Sequence, residues 1–329
     1  MFALAASREF GQRVAARLGI GLAPLEEREF EGGEHKSRPL VGVRGRPAYV
    51  VQSLQGDAAG GSSDRLCRLL FFAATLRDAG ATRVTACVPY LAYARKDRRT
   101  KERDPVTLRY VAQLFEAVGI GHVIVLDAHN LAAFENAFRC PTDHLEATTL
   151  FARHFAAGLC ELPVTVASPD LGGAKRAQRL QELLAAHSGR DIDFAILDKR
   201  RSSGVVSGDL LAGPVAGRRV ILVDDLIAAG TTMLRAVASC REAGALRVDA
   251  AAAHAVFTPD AARLLAPGGV DELVVTDSVL PTRLADADPG QRMRVLAASD
   301  LFAEAIRRIG AGESVTALRE LERGRVRPR

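Results

Sequence analysis

The segment Val220-Ile-Leu-Val-Asp-Asp-Leu-Ile-Ala-Ala-Gly-Thr-Thr-Met233 carries two carboxylates between an apolar, β-branched run and a turn of small residues. Val220 to Val223 reads as a buried strand, and the helical spacing resumes from Met233 to Ala243. The N–H groups of the turn and the dipole of the following helix favour a phosphate there. Thr231 and Thr232 add hydroxyl donors. Asp224 and Asp225 can accept hydrogen bonds from sugar hydroxyls or hold a divalent cation. A phosphorylated sugar fits this set of groups; so does a structural turn in which the acids cap the helix. No Gly-Lys-Ser/Thr occurs, which excludes a nucleoside-triphosphate P-loop.

Four other segments put reactive residue types at predicted strand ends. Pro89-Tyr-Leu-Ala-Tyr-Ala-Arg-Lys-Asp-Arg98 opens a run with six basic residues from Arg95 to Arg103. Such density at the carboxyl end of a strand suits a polyphosphate, because open α/β sheets bind ligands at those ends; a solvated loop is the alternative. Asp127 and His129 follow Val123–Leu126, and strand alternation would send both side chains to one side, where they could bind a metal or a phosphate. Ser168-Pro-Asp-Leu-Gly-Gly173 repeats the order strand, acid, glycine turn, helix; Asp170 is a candidate cation ligand or a helix cap. Asp198-Lys-Arg-Arg201 precedes a stretch rich in Ser and Gly, Ser202 to Gly208, and three cations there suit a loop that closes over a transferring phosphate.

The elements that must hold these residues alternate along the chain. Strands are expected at Ala48–Gln52, Val84–Pro89, Val123–Asp127, Val164–Ser168, Phe194–Asp198, Val220–Val223, Val248–Ala252 and Leu273–Thr276. Helices are expected near Phe10–Leu18, Arg65–Ala79, Val106–Val118, Ala174–Ala186, Met233–Ala243 and Ser299–Ile309. Alternation of this kind predicts α/β architecture with mostly parallel sheets. At 329 residues, two such domains are the natural expectation. A repeated phrase supports duplication: Ala79-Gly-Ala-Thr-Arg-Val84 and Ala243-Gly-Ala-Leu-Arg-Val248 each end a helix and begin a strand. The boundary is placed at residues 146/147, with the final helix returning to the first half.

Composition narrows the function. The net charge is +5, with Arg concentrated at Arg95–Arg103 and in the tail Arg319–Arg329, which is expected to be disordered. That pattern attracts phosphates without choosing between nucleotide and nucleic acid. Trp is absent and aromatics make up 5% of residues, which argues against base-stacking surfaces for nucleic acid. The five cysteines, Cys67, Cys87, Cys140, Cys160 and Cys240, are scattered and form no Cys-x-x-Cys pair, as expected of thiols in a reducing compartment. No run of eighteen apolar residues and no secretory order at the N-terminus is found, so a soluble cytoplasmic protein without membrane partners is expected. Neither a Ser/His/Asp order nor paired zinc ligands stand out.

Taken in order, these segments resemble the ribose-phosphate diphosphokinase (phosphoribosyl pyrophosphate, PRPP, synthetase) family across nearly the whole chain. The resemblance rests on Phe30-Glu-Gly-Gly-Glu34, the Pro89–Arg98 stretch, Asp127-Ala-His129, Ser168–Gly173, Asp198-Lys-Arg-Arg201, the Val223-Asp-Asp loop, Glu304-Ala-Ile-Arg-Arg-Ile309 and Glu313-Ser-Val315. It implies two similar type I phosphoribosyltransferase-like domains, 1–146 on the ATP side and 147–329 on the ribose 5-phosphate side. It implies transfer of the β,γ-diphosphoryl group of ATP to ribose 5-phosphate, giving PRPP and AMP for nucleotide biosynthesis, with Mg²⁺ as cofactor. Lys199 and Arg201 are then the catalytic residues. ATP falls to Phe30, Gly32, Gly33, Glu34, Arg95, Lys96, Arg98 and His129. Ribose 5-phosphate falls to Arg201, Asp224, Asp225, Ala228, Ala229, Gly230, Thr231 and Thr232, and the metal to His129 and Asp170. The family forms homo-oligomers, often hexamers built from dimers, in which the nucleotide segment serves a neighbouring subunit. Three departures stand out: Ala228 where the family usually has an acid, followed by Ala-Gly-Thr for Thr-Gly-Gly; Gly32 for an acid; and Lys96 for Gln, which adds a cation beside the polyphosphate. They keep two alternatives open, a non-catalytic regulatory relative and a phosphoribosyltransferase.

Overall fold

A computed structural model describes residues 1–320 except 58, 160, 203–204, 283 and 285–290, and only the backbone of 199–202, 205–209 and 319–320. Cys160 and the tail beyond 320 therefore lie outside the described residues. The chain divides into two compact units, Met1–Leu145 with Ala298–Val315, and Glu146–Ala297 with the chain from Thr316.

In the first unit a parallel sheet runs β1-β4-β5-β6-β7, made of Phe2–Ala3, Pro47–Val51, Arg83–Val88, Ile120–Leu126 and Thr142–Leu145. Strands this apolar are buried on both faces, and helices cover them: α1 (Arg8–Arg17), α2 (Ser62–Asp78), α3 (Thr107–Ala117) and α4 (Leu131–Ala137). Phe72 of α2 meets Phe2 edge-on at 5.4 Å between ring centres, and Phe115 of α3 meets Phe138 at 5.9 Å. The late helix α8 (Ala298–Ala311) belongs to this unit. Its Phe302 packs edge-on against Phe10 at 5.4 Å, and Asp300 pairs with Arg17 at 3.1 Å. A separate antiparallel hairpin, β2 (Leu25–Glu29) and β3 (His35–Pro39), has the Phe30–Glu34 segment at its tip.

In the second unit the sheet runs β10-β9-β8-β11-β12-β13-β14, parallel except for β10. Its strands are β8 (Val164–Ser168), β9 (Ile192–Ser202), β10 (Val205–Ala212), β11 (Arg219–Leu226), β12 (Arg247–His254), β13 (Glu272–Thr276) and β14 (Met293–Leu296). The helices are α5 (Thr148–Ala157), α6 (Ala174–Ser188) and α7 (Thr231–Glu242). At the amino ends of the strands, Arg219 is 2% exposed and fully engaged. Its Nε donates to Asp249 at 2.6 Å, its Nη1 to the Gly158 carbonyl at 2.7 Å, and its guanidinium lies over Phe155. A charge this deep is tolerated because it is paired with the Asp249 carboxylate and hydrogen-bonded to a backbone carbonyl.

The repeated phrase has the same local geometry in both units. Gly80 and Gly244 have φ of 89° and 88°, values that glycine adopts without a steric penalty. The Ala81 N–H returns to the Leu76 carbonyl and that of Ala245 to the Cys240 carbonyl; the Gly80 and Gly244 carbonyls accept from Gly45 and Gly217. Each arrangement stops a helix and delivers the chain into a parallel strand, β5 beside β4 and β12 beside β11.

Two expectations change. The strand expected at Phe194–Asp198 runs on to Ser202 and turns back as β10, so the basic residues sit on a hairpin instead of a Ser/Gly loop. The strand expected to carry Asp127 stops at Leu126, and Asp127 has φ of 37°. Asp127 is buried and His129 exposed, so strict alternation does not carry them to one side.

Candidate active site

In the first unit, Val88 pairs with Val125, so the loops leaving β5 and β6 emerge side by side at the carboxyl edge of the sheet. Asn130 ties them together. Its Nδ2 donates to Asp97 at 2.7 Å while its Oδ1 caps α4 by accepting from the Ala133 N–H. Tyr93, at φ of 66°, bonds Ser63 at the start of α2 at 2.6 Å. Arg95 and Arg98 are exposed there with His129. Lys96 differs from them: its Nζ donates to Asp104 at 2.5 Å inside its own loop. At the hairpin tip, Phe30 is 42% exposed with the Arg28 guanidinium 5.0 Å from its ring centre. Gly32 and Gly33 have φ of 83° and 85° with open space around them, which glycine permits and side chains resist.

In the second unit the pairing of β8 with β9 and β11 sets three segments at one edge. After β8, Asp170 Oδ1 accepts the Gly173 N–H at 3.1 Å, so this acid does cap the following turn. After β11, the turn Ile227–Gly230 is tied to its neighbours: Ile227 N–H to the His254 carbonyl at 3.1 Å, and Thr258 N–H to the Ala228 carbonyl at 3.1 Å. Gly230 takes φ of 76° and caps α7 without any side-chain hydrogen bond. The first amides of a twelve-residue helix are thus left without a side-chain cap at the turn where a phosphate was expected.

β11 reaches Leu226, so Asp224 and Asp225 lie within the strand and not past its end. Asp225 is 4% exposed; Asp224 is half-buried and accepts the Asp225 N–H at 2.8 Å. Burial, and then the neighbouring Asp225 charge, pushes the Asp224 carboxyl well above the usual carboxylate range. Arg176, in the first turn of α6, opposes that shift with a guanidinium 3.6 Å from Asp224. Arg176 was not singled out from the sequence; its place one turn past Gly172-Gly173 is the signal that points to it.

Lys199 and Arg201 occupy the part of β9 that outruns the sheet. The last β8 partner is Ser168 opposite Ile196, whereas β9 continues to Ser202 against β10 alone. Leu197 to Ser202 is about 20 Å of strand at roughly 3.3 Å per residue. Lys199 is opposite Asp209 and Arg201 opposite Val206 in backbone register, with a bulge between Val206 and Asp209. Their side chains are outside what the structure describes. Among the described residues no group of three His, Cys, Asp or Glu side chains gathers as a metal cage.

Comparison with known proteins agrees with this architecture. Residues 1–119 match the model of the N-terminal domain of ribose phosphate pyrophosphokinase, and residues 205–320 that of the phosphoribosyl synthetase-associated domain. A ribose-phosphate pyrophosphokinase of Vibrio cholerae is 37% identical over 320 residues, covering 97% of this chain and 98% of the relative. This chain belongs to the ribose-phosphate pyrophosphokinase family. The Pasteurella multocida ribose-phosphate pyrophosphokinase is 36% identical over 315 residues, 95% of this chain and 96% of that one. The crystal structure of phosphoribosylpyrophosphate synthetase from Mycobacterium smegmatis superimposes with a TM-score of 0.83 at 30% identity, over 94% of this chain and 98% of its own. As a member of the ribose-phosphate pyrophosphokinase family the chain is an α/β, two-domain transferase, in agreement with the two parallel sheets.

Proposed function

We propose that this protein is a ribose-phosphate diphosphokinase that moves the β,γ-diphosphoryl group of ATP to the anomeric hydroxyl of ribose 5-phosphate. The anomeric oxygen forms a bond to the β-phosphorus of ATP as the bond from that phosphorus to the α,β-bridging oxygen breaks. AMP departs with that oxygen, and the anomeric proton is released. The observation that carries this reading is the α7 N-terminus without a side-chain cap, placed directly after the buried acid pair of β11, in a chain of this family.

The 5-phosphate sits on the amides of Ala228–Thr232, with Thr231 and Thr232 adding hydroxyl donors. Asp224 and Asp225 accept hydrogen bonds from the ribose hydroxyls, and Arg176 favours the ionised form of Asp224 that can accept. The triphosphate is taken by Arg95, Arg98 and His129 on the first unit, and adenosine by Phe30, Gly32, Gly33 and Glu34. The exposed Phe30 at a hairpin tip supports a homo-oligomer built from dimers, in which that segment serves a neighbouring copy. Mg²⁺ is the ion that the Asp170 carboxylate and the substrate phosphates fit. Asp170 on the second unit and His129 on the first are each a single ligand, and Mg²⁺ characteristically uses one or two protein ligands together with substrate phosphates. When bound, the ion neutralises phosphate charge. Lys199 and Arg201 stabilise charge on the transferring group, in a reaction governed by positioning and electrostatics. No helix among the described residues is long and apolar enough to cross a membrane, in keeping with a cytoplasmic enzyme.

Incubation with ATP, Mg²⁺ and ribose 5-phosphate is expected to yield AMP and PRPP together. Lys199→Ala is expected to lower kcat by about a hundredfold or more, the scale of losing one preorganised charge-stabilising group. Binding of both substrates without turnover points instead to a regulatory relative, and consumption of PRPP with a nucleobase to a phosphoribosyltransferase.

A further inference from the structure

The basic loop after β5 is organised by one carboxylate. Asp104 Oδ2 accepts from Lys96 Nζ at 2.5 Å, from Thr100 Oγ1 at 2.6 Å, and from the Thr100 and Lys101 N–H groups at 3.1 Å each. Lys96 Nζ also donates to Thr100 Oγ1 at 3.2 Å, and the Lys96 carbonyl accepts the Leu108 N–H in the first turn of α3 at 3.3 Å. The two ends of the loop are thereby closed on each other. On its β6 side, Asp97 is held by Asn130.

We propose that Lys96 is one half of a clasp with Asp104 that fixes the 96–104 loop, and that Asp104 is a positioning residue for the ATP triphosphate. This rests on the reading that the loop takes ATP.

Charge and entropy both support it. A lysine in short contact with a carboxylate presents little net charge to a distant anion, and three donors further satisfy the same carboxylate. Lys96 is therefore poorly placed to act as an added phosphate ligand. Arg95 and Arg98, exposed and outside the clasp, carry that role. A basic loop of this length would otherwise sample many conformations. Ordering it on nucleotide binding would weaken affinity, whereas a loop closed beforehand avoids that cost. Lys96 and Thr100 hold the Asp104 carboxyl below the usual carboxylate range, so the clasp is present above the ordinary carboxylate pKa and is lost only as pH falls through the depressed value.

The test uses Asp104→Asn, Lys96→Gln and the double variant of the full chain. Each single change is expected to raise the KM for ATP about tenfold, the size of one charge-assisted hydrogen bond. The double variant should be no worse than the poorer single, since the pair acts as a unit. The KM for ribose 5-phosphate and kcat should stay within about twofold of wild type, because neither group touches the sugar or the reacting atoms. Without substrates, trypsin should nick all three variants faster than wild type at Arg98, Arg99 and Lys101. If Lys96→Gln raises the ATP KM while Asp104→Asn leaves both KM and nicking unchanged, Lys96 contacts the nucleotide directly and the clasp is wrong. Unaltered nicking in every variant also overturns it. Should wild type make no PRPP, the functional reading fails, and the trypsin comparison still decides the clasp.

Discussion

The contact between Arg176 and Asp224 bears on the charge of the carboxyl proposed to take the ribose hydroxyls. Burial and Asp225 raise the Asp224 pKa; Arg176 lowers it. The carboxylate accepts from ribose hydroxyls with both oxygens, whereas the protonated acid turns one of them into a donor, so the kcat/KM for ribose 5-phosphate should fall as pH drops through the Asp224 value. Removing Arg176 takes away a stabiliser of the ionised form, and the pKa rises further. For Arg176→Gln the acidic limb of the pH profile is therefore expected to move to higher pH, with ATP KM little altered; an unshifted limb would separate Arg176 from Asp224 function. The sequence marked the two acids as candidates, with helix capping as the alternative, and the structure places them inside β11, which runs on to Leu226. The partner of Asp224 was not legible in the sequence, since Arg176 reaches it from another βα unit through sheet order, which periodicity does not encode. The Asp127 and His129 geometry failed for a local reason: alternation holds only while the strand lasts, and it ends at Leu126.

At the scale of elements, the turn from β11 into α7 depends on Gly230. Its φ of 76° is left-handed, and a Cβ there would come within 2.9 Å of Leu264 Cδ1. Gly230→Ala is expected to destabilise the protein by about 1–3 kcal/mol, the range for a strained non-glycine residue. It should also raise the ribose 5-phosphate KM more than that of ATP. Urea melts and steady-state kinetics read the two effects; wild-type stability would remove the argument for a strained turn. The helices and central strands of both sheets were visible in the sequence from their apolar spacing. The β2–β3 hairpin was not, because Leu25-Glu-Glu-Arg-Glu29 and His35-Lys-Ser-Arg-Pro39 show little apolar alternation. Cross-strand pairs support it instead, Glu26 with Lys36 at 3.3 Å and with Arg38 at 2.6 Å, together with stacking of His35 on Phe71 of α2. The extension of β9 past Asp198 was hidden in the same way, by charge and by Ser/Gly composition.

At the scale of the whole molecule, two units each build a mostly parallel sheet with loops at its carboxyl edge, basic in the first unit and following an acid pair in the second. The duplicated Ala-Gly-Ala phrase foretold the repeat because a glycine-stopped helix feeding a strand needs the same few residues each time. Family membership follows from the full length, not from any one loop, and the acid pair alone would fit other sugar-phosphate enzymes. The most direct measurement of the central claim follows label from ATP carrying radioactive phosphorus in both β and γ positions, with Mg²⁺ and ribose 5-phosphate. The account predicts both labels in PRPP, with unlabelled AMP formed in equal amount. Label appearing in ADP and in a ribose bisphosphate that has received only the γ-phosphoryl group, or AMP released without labelled PRPP, would contradict it.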